Sequence, residues 1–390
     1  MGGVIALDAM GGDDAPAPEV AGAIAAVRGG GRDTSAPLRV LLLGDEPRLR
    51  AELAQRQALD LLERGALSIR ACSEVITMHD APGAAVRQKR DASMRVAFEL
   101  LRAGQVQAVV SAGNSGAMLA CGLLVLGRVK GVERPGIIVT FPTLDSSRPN
   151  GYGECALLDM GANVECKASH LAQFAVLGAT FARHSLGRER PRVGLLANGE
   201  EESKGTEVLR EAYGLLSRPL PLAPDDAPPG LRSAHPGAPD FEFVGFVEGR
   251  DIFEFRRPAA PGVPGALGGL DVVVTDGFTG NVVLKTAEGA ANLLGQSLRR
   301  AAGRSLLSRL GGLLLLPSLR VTRDIIDIER RGGALLLGVA GVVVICHGRT
   351  SSRAIHSALT LAARQVDSGL TAQVASAIDR HRGLWTEETA

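Results

Sequence analysis

Five short apolar runs in this chain end abruptly in turns that combine glycine with Asp, Asn or Glu. The runs are Val4–Leu7, Ala108–Val110, Ala156–Leu158, Val193–Leu196 and Val272–Val274. An apolar run without alternation is typical of a strand that is buried on both faces, as in a parallel sheet. Ligands of open α/β sheets bind beyond the carboxyl ends of the strands. We therefore expect the five turns to converge on one cleft and to form an active site there.

Helical patterns follow these runs, so the order along the chain is strand, turn, helix. The predicted helices are Glu19–Val27, Met94–Ala103, Ser115–Leu126 with Asn114 or Ser115 as its cap, and His170–His184; Leu38–Leu43 is a further strand, and Ala334–Cys346 is a buried strand and turn. Repeated βα units predict an α/β fold with helices on both faces of a doubly wound, mostly parallel sheet. We predict a single α/β domain over residues 1–390, with a flexible Pro-rich insertion at 219–239.

The composition argues against several classes of protein. A net charge of +1 makes a general nucleic-acid binder improbable, and the 45% hydrophobic content is enough for a large core. Five cysteines without a CxxC pair, and the lack of a signal peptide, predict a reduced cytoplasmic protein. The seven histidines form no HxxxH or HExxH pattern, so we expect no metal site and no cofactor.

The turns supply backbone amides and polar side chains of the kind that bind phosphate or carboxylate. The candidate substrate-binding residues are Asp8, Gly11, Gly12, Asp13, Asn114, Ser115, Gly116, Asp159, Asn163, Glu200, Glu201, Asp276, Gly277, Gly280 and Lys285. The chain has only five lysines, and both Lys204 and Lys285 fall at glycine turns, which favours roles that arginine cannot fill. Two alternatives stay open: chance surface lysines, and a metal cluster built from the carboxylates.

Residues 295–331 combine leucines at helical spacing with flanking arginines and are interrupted by Pro317. This pattern predicts a helical hairpin with an exposed apolar tip that includes Leu306, Leu310, Leu313 and Leu314. An ordinary core helix or a dimer interface is the alternative. The apolar run within this segment is too short to cross a bilayer, which takes about 20 apolar residues.

Seven motifs carry a resemblance to a known family. They are IALDAMGGD, SAGNSGA, LLDMGANVECK, GEEESKG, VEGRDI, VVVTDGFTGNVVLKTAEG and GGALLLGVAG, and they occur here in the family's order. Over essentially its whole length the chain resembles the bacterial acyl-acyl carrier protein:phosphate acyltransferases of phospholipid synthesis, the PlsX type. Each motif alone is weakly specific, whereas the seven together are highly specific.

The resemblance implies a three-layer α/β/α fold akin to phosphotransacetylases and isopropylmalate-type dehydrogenases, with a protruding helical hairpin. It implies transfer of a fatty acyl group from acyl carrier protein to inorganic phosphate, which gives acyl phosphate, with Lys204 and Asn281 in catalytic roles. It also implies a homodimer that attaches peripherally to the inner face of the cell membrane through the hairpin, and it points to the downstream glycerol-phosphate acyltransferase as a partner.

The chain departs from the family pattern at three positions: Asp14 replaces a usual His, Phe246 a usual Asn, and Arg349 a usual Ser. Rival interpretations are a phosphotransacetylase that uses a CoA thioester and a non-catalytic, membrane-associated interaction protein. A dehydrogenase of the related fold would need a nucleotide fingerprint and metal-binding aspartates at matched spacing. Gly151–Ala156 matches the letters of a fingerprint but precedes a strand rather than following one, so we discount it, and we find no such aspartates.

Overall fold

The computed structural model describes residues 3–29, 37–145, 151–220, 239–253, 269–305, 308–309, 311–312, 314–315 and 332–386. Residues 221–238, which form most of the predicted insertion, lie outside the described residues, as do Leu306, Leu310 and Leu313 of the predicted hairpin tip.

A single sheet of eleven strands runs through the described part of the chain. Its strands are β1 (Val4–Asp8), β2 (Arg39–Gly44), β3 (Leu67–Ala71), β4 (Ala108–Ser111), β5 (Gly136–Leu144), β6 (Tyr152–Leu158), β7 (Arg192–Leu196), β8 (Glu242–Val247), β9 (Val272–Val274), β10 (Ala334–Leu337) and β11 (Val342–Ile345). They lie in the order β3-β2-β1-β4-β11-β10-β5-β6-β9-β7-β8. The pairs β11–β10, β10–β5 and β5–β6 are antiparallel and the others are parallel, so the predicted mostly parallel sheet is confirmed.

Helices cover both faces of this sheet, as predicted. They are α1 (Ala17–Arg28), α2 (Glu46–Gln55), α3 (Asp60–Glu63), α4 (Pro82–Gln88), α5 (Ser93–Arg102), α6 (Ser115–Cys121), α7 (Ala168–Leu186), α8 (Glu207–Leu216), α9 (Gly277–Ala302), α10 (Ser352–Asp367) and α11 (Leu370–Arg380), with a π-helix at Gly122–Leu126 and a 3₁₀-helix at Arg382–Leu384. The four predicted helices are confirmed, and Asn114 caps α6 by accepting a hydrogen bond from Ala117 N–H at 3.1 Å.

The inner strands, such as β1 and β9, are apolar without alternation because each of their faces meets a helical layer. In β1, Ile5 and Leu7 pack in the layer that contains α1, α2, α7, α8, α10 and α11, whereas Ala6 packs in the layer of α4, α5, α6 and α9. In β9, Val272 and Val274 face the first layer and Val273 faces the second. Successive side chains of a strand point to opposite faces, so a strand between two layers must be apolar throughout.

The strand directions divide the sheet into two blocks. Since β5 is antiparallel to β6 and β10 is antiparallel to both of its neighbours, β1 to β5 and β11 run in one direction and β6 to β10 in the other. We call the edge at which β1 and β4 end the first edge, and the edge at which β6, β7, β8 and β9 end the second edge. The expectation that all five turns lie beyond one edge of the sheet is therefore wrong. The short connection between β5 and β6 permits only an antiparallel pair, which reverses the chain.

The predicted hairpin at 295–331 is only partly described. Its first residues form the end of α9, and residues 308–309, 311–312 and 314–315 are helical. Leu314 is 76% exposed and Leu315 is 57% exposed. In the described residues, every helix is either too short or too polar to cross a membrane.

Candidate active site

The first edge is organised around Asp8, at the end of β1. Its Oδ1 accepts hydrogen bonds from Ser93 Oγ at 2.6 Å and from Met10 N–H at 3.2 Å, and its Oδ2 accepts one from Ser111 Oγ at 2.7 Å. The side chain is buried, and burial raises the pKa of the carboxyl while the Ser93 and Ser111 hydroxyls lower it. Both oxygens are therefore already used in joining three separate segments of the chain.

The glycines of this edge are needed for close packing. A Cβ at Gly11 would lie 2.6 Å from Asp8 Oδ2 and 2.8 Å from Gly113 N, and a Cβ at Gly12 would lie 2.3 Å from Glu19 Oε1. At Gly11 the contact with backbone leaves no room for a side chain, whereas at Gly12 the contact is with the end of the Glu19 side chain. Close approach of the chain to itself therefore accounts for the glycine at position 11 without a bound ligand.

The remaining predicted residues of the first edge divide into buried and exposed groups. The Asn114 amide nitrogen lies 3.3 Å from each of the carbonyl oxygens of Thr77, Met78 and Asp80, so this side chain holds a neighbouring loop. Asp13, Asp14, Ser115 and Gly116 are exposed, and Arg349 Nε lies 3.8 Å from Asp13 Oδ2. Among these, the exposed positions are the ones that a substrate can reach.

The second edge is organised around Asp159, at the end of β6. Its Oδ1 accepts hydrogen bonds from the N–H groups of Ile137, Gly161 and Ala162 at 2.9 to 3.1 Å. Its Oδ2 accepts hydrogen bonds from the N–H and the amide side chain of Asn163, at 2.7 and 2.9 Å. Burial raises the pKa of this carboxyl, while these donors lower it.

The start of α9 packs directly against this turn. Asp276 caps the helix, with Oδ1 accepting from Thr279 N–H at 2.8 Å. Gly277 N–H donates to Asn163 O at 2.7 Å, and a Cβ at Gly280 would lie 1.9 Å from Asp159 O. These contacts bring the predicted residues of the β6 and β9 turns together in one contiguous structure.

Asn281 follows immediately on α9 and is placed differently from its neighbours. Its side chain is exposed, and within the described residues it has no hydrogen-bond partner. Its Cβ lies 3.8 Å from the position that a Cβ on Gly161 would occupy, which places it at the β6 turn. Phe278 and Val282, three residues before and one residue after it, are 62% and 49% exposed. A free amide and an apolar surface therefore stand side by side.

Lys204 lies in the turn that follows β7. Asn198 Oδ1 accepts a hydrogen bond from Gly205 N–H at 3.0 Å and closes the turn, and Gly205 has a φ of +76° that favours glycine. The Lys204 side chain is exposed, and its ammonium has no ion-pair or hydrogen-bond partner in the described part of the chain. Because β7 pairs directly with β9, the turn that carries Lys204 is a neighbour of the start of α9, which carries Asn281.

Acidic residues flank this lysine. Glu200 Oε1 lies 3.2 Å from Arg250 Nη2, an arginine of the turn after β8, so Glu200 ties that turn to its own. Glu201 is exposed, and its carbonyl oxygen accepts a hydrogen bond from Lys204 N–H at 2.9 Å. Lys285, in contrast, lies on α9 rather than in a turn, and its ammonium pairs with Glu288 at 2.9 Å.

Sequence reasoning missed residues that lie far along the chain from the turns. Ser93, the principal partner of Asp8, is 85 positions away at the start of α5, and no motif marks it.

Phe246, where the family pattern usually has asparagine, is buried and packs on Tyr213 with ring centroids 5.1 Å apart. In the described residues, no three His, Cys, Asp or Glu side chains cluster as metal ligands would.

Comparison with known proteins identifies the family to which the chain is similar. The model of the "Fatty acid synthesis protein" family matches residues 4–373. A phosphate acyltransferase from Geobacter sulfurreducens is 43% identical over 377 residues, covering 96% of this chain and 94% of the relative. A phosphate acyltransferase from Myxococcus xanthus is 44% identical over 380 residues, with coverage of 96% and 94%.

Solved structures agree on the fold. A phosphotransacetylase from Streptococcus pyogenes has a TM-score of 0.58 at 17% identity, covering 94% of both chains. The EutD phosphotransacetylase from Staphylococcus aureus has a TM-score of 0.54 at 17% identity, again with 94% coverage of both. At this identity the likeness shows the fold alone, and it confirms the expected phosphotransacetylase-like α/β/α architecture. The full-length family match and the relatives above 40% identity show that the chain belongs to the PlsX-type phosphate acyltransferase family.

Proposed function

We propose that the protein transfers a fatty acyl group from the thioester of acyl carrier protein to inorganic phosphate, and that it does so at the second edge. A phosphate oxygen forms a bond to the thioester carbonyl carbon, the C–S bond breaks, and its electron pair leaves with sulfur as the carrier thiolate. The observation that carries this proposal is the pair Lys204 and Asn281: both are exposed and, within the described residues, unpartnered, and they lie on the turn after β7 and on the start of α9 after the neighbouring strand β9.

The chemistry demands few groups. Inorganic phosphate near pH 7 is already a charged nucleophile, and a thiolate is a good leaving group, so the protein must mainly hold phosphate in line and stabilise an oxyanion. In our proposal the Lys204 ammonium binds phosphate and the Asn281 amide donates to the carbonyl oxygen. Exposed Phe278 and Val282 beside Asn281 offer apolar surface for the acyl chain.

The test is the trapping of acyl phosphate with hydroxylamine. Protein, acyl-acyl carrier protein and phosphate are incubated, and hydroxamate formation is compared with a reaction without phosphate, because thioesters also react slowly with hydroxylamine. A parallel reaction uses the same acyl group on CoA. Phosphate-dependent hydroxamate that is greater with the carrier supports the proposal. Preference for CoA assigns the protein to the phosphotransacetylase type of reaction, and no product from either donor contradicts an acyltransferase function.

We also propose that the protein is a homodimer that attaches peripherally to the inner face of the cell membrane. On α9 the side chains of Leu293, Leu294 and Leu298 are exposed, as are Leu314 and Leu315 beyond it. The only buried residues of this 26-residue helix are Gly277 and Gly280. Such apolar surface suits a second copy or a lipid boundary, and nearby arginines attract anionic headgroups.

One double variant separates the two uses of this surface. Leu314→Glu with Leu315→Glu is expected to abolish flotation with anionic vesicles while turnover without vesicles stays largely intact. Leu59→Glu, at another exposed leucine, is the matched control and should still float. Dissociation of the dimer in sedimentation, or flotation that persists in the double variant, would show that these leucines serve a protein interface instead.

A further inference from the structure

An open pocket of about 520 Å³ lies beside the Asp159 turn, and the acyl-transfer chemistry does not use it. Its lining residues are Leu123, Arg128, Glu133, Arg134 and His170. The pocket adjoins the second edge because the amide side chain of Asn163 donates to Pro135 O at 2.7 Å, and Pro135 directly follows Arg134. It is therefore a neighbour of the proposed active site, separate from Lys204 and Asn281.

Two guanidinium groups give the pocket its positive charge. Arg134 is exposed, and within the described residues no hydrogen bond or ion pair engages its side chain. Arg128 donates through Nη1 to the carbonyl oxygen of Glu133, which uses one of its five N–H donors. Most of the donors of both side chains thus stay available to a ligand.

The one carboxylate in the pocket, that of Glu133, is already engaged by other residues. Its Oε2 accepts a hydrogen bond from Ser169 Oγ at 3.1 Å and lies 3.2 Å from His170 Nε2, and its Oε1 lies 3.4 Å from Gln173 Nε2. His170 Nδ1 accepts from Lys167 N–H, so the proton of the neutral ring belongs on Nε2, where it faces Glu133. Burial lowers the pKa of His170, which keeps the ring neutral near pH 7.

The apolar wall is supplied by an unusual piece of backbone. The π-helix at Gly122–Leu126 ends at Gly127, whose φ of +89° turns the chain so that Leu123 and Arg128 line the same pocket. A Cβ at Gly127 would meet nothing within 4 Å, so the glycine is there for its backbone conformation. π-Helical turns within helices occur often at functional sites.

We propose that this pocket binds a phosphate group through Arg128 and Arg134. Guanidinium groups match the geometry of phosphate oxygens and bind them through charge-assisted hydrogen bonds. The phosphate can be free or can belong to an ester, in which case Leu123 contacts the organic part. The proposal goes beyond the acyl-transfer reaction, whose reacting phosphate we assign to Lys204, and does not depend on that reaction.

Calorimetric titration with two probes, inorganic phosphate and n-butyl phosphate, tests this directly. All proteins carry Lys204→Ala, so that binding at the proposed catalytic turn does not contribute and a failure there is distinguishable from a failure here. The variants compared in this background are the parent, Arg134→Gln and Lys130→Gln. Lys130 is an exposed cation of the same loop that does not line the pocket, which makes it the matched control.

We expect at least one probe to bind the parent, Arg134→Gln to weaken that binding about tenfold or more, and Lys130→Gln to leave it within about twofold. Tighter binding of n-butyl phosphate assigns the pocket to a phosphate ester, and equal binding assigns it to free phosphate. The proposal is overturned if neither probe binds, or if Arg134→Gln and Lys130→Gln have equal effects. Because the Arg134 side chain makes no hydrogen bond or ion pair in the described part of the chain, its replacement should leave the melting temperature unchanged.

Discussion

The two edges of the sheet carry turns of similar composition that have opposite chemical character. At the first edge, Asp8 and Asn114 are buried, and their polar atoms are used in hydrogen bonds that join separate segments. At the second edge, Asp159 performs the same structural task, but Lys204 and Asn281 stand exposed and unpartnered within the described residues. Glycine, Asp and Asn in a turn therefore do not by themselves indicate a substrate site. What distinguishes the second edge is an exposed ammonium and an exposed amide, which can donate hydrogen bonds to an anion, whereas the exposed carboxylates of Asp13 and Asp14 at the first edge would repel one.

The largest loss of turnover is expected from Asn281→Asp. The substitution replaces a donor with a negative charge beside the developing oxyanion, so turnover should fall further than the roughly 10²-fold loss expected for Asn281→Ala. Turnover is measured as phosphate-dependent hydroxamate, with the melting temperature as the check on folding. If Asp is the milder change, Asn281 does not donate to an oxyanion.

Next in size is the effect of Lys204→Ala. Loss of one preorganised electrostatic contact should reduce turnover about 10²-fold or more without loss of stability, because the side chain is exposed and makes no described contact. Lys130→Ala, at another exposed lysine, is the control and should retain normal turnover. Near-normal turnover of folded Lys204→Ala would remove this lysine from the mechanism.

At the first edge we expect stability to change more than chemistry. Asp8→Ala leaves the buried Ser93 and Ser111 hydroxyls and Met10 N–H without their acceptor, and should lower the free energy of unfolding by about 2 to 4 kcal/mol. The exposed control at the same turn, Asp14→Ala, should change it by less than about 0.5 kcal/mol. A stable Asp8→Ala protein with no turnover would instead place Asp8 in the reaction.

Replacement of Glu19, which packs against Gly12, is expected to have a smaller, pH-dependent effect on the free energy of unfolding. Burial, and then the Asp8 and Asp14 carboxylates, raise the pKa of Glu19 from 4.5 to about 7. The folded state therefore favours the protonated form, and the stability that this group contributes is complete below pH 4.5 and is lost as the pH rises through 7. Glu19→Gln should remove that loss, so urea denaturation should show the variant gaining stability relative to the parent by up to a few kcal/mol between pH 5 and pH 8. If the stability of the parent and that of the variant change in parallel with pH, Glu19 does not titrate in this way.

The sequence was sufficient to predict β1, β2, β4, β6, β7 and β9 and the turns that follow five of them. It did not predict β3, β5 or β8, and the segment 334–346, predicted as one strand and a turn, forms the two strands β10 and β11. Val272–Val274 and Ala108–Val110 are apolar without alternation because helices cover both faces, and Asn114 precedes a helix that it caps. These are local properties, set by residues within a few positions of one another. The resemblance carried by seven ordered motifs also gave the family, which the comparisons confirm.

The direction of the strands could not be predicted in the same way. The residues Ala156–Leu158 do not by themselves indicate an antiparallel pair with β5. The direction of a strand depends on pairing between residues that are distant in sequence, such as Ile138 and Leu158. The role of Asp8 was hidden for a similar reason: its partner Ser93 is remote in sequence. Long-range contacts of this kind decide whether a polar turn residue is hydrogen-bonded within the protein or remains available to a substrate.

The most direct test of the account is a crystal structure with a non-hydrolysable acyl phosphonate, which mimics the proposed product. We predict that the phosphonate binds the Lys204 ammonium, that the carbonyl oxygen accepts a hydrogen bond from the Asn281 amide, and that the acyl chain contacts Phe278 and Val282. A phosphonate bound at the first edge, between the Gly12 turn and Asn114, would contradict the assignment of the chemistry to the second edge.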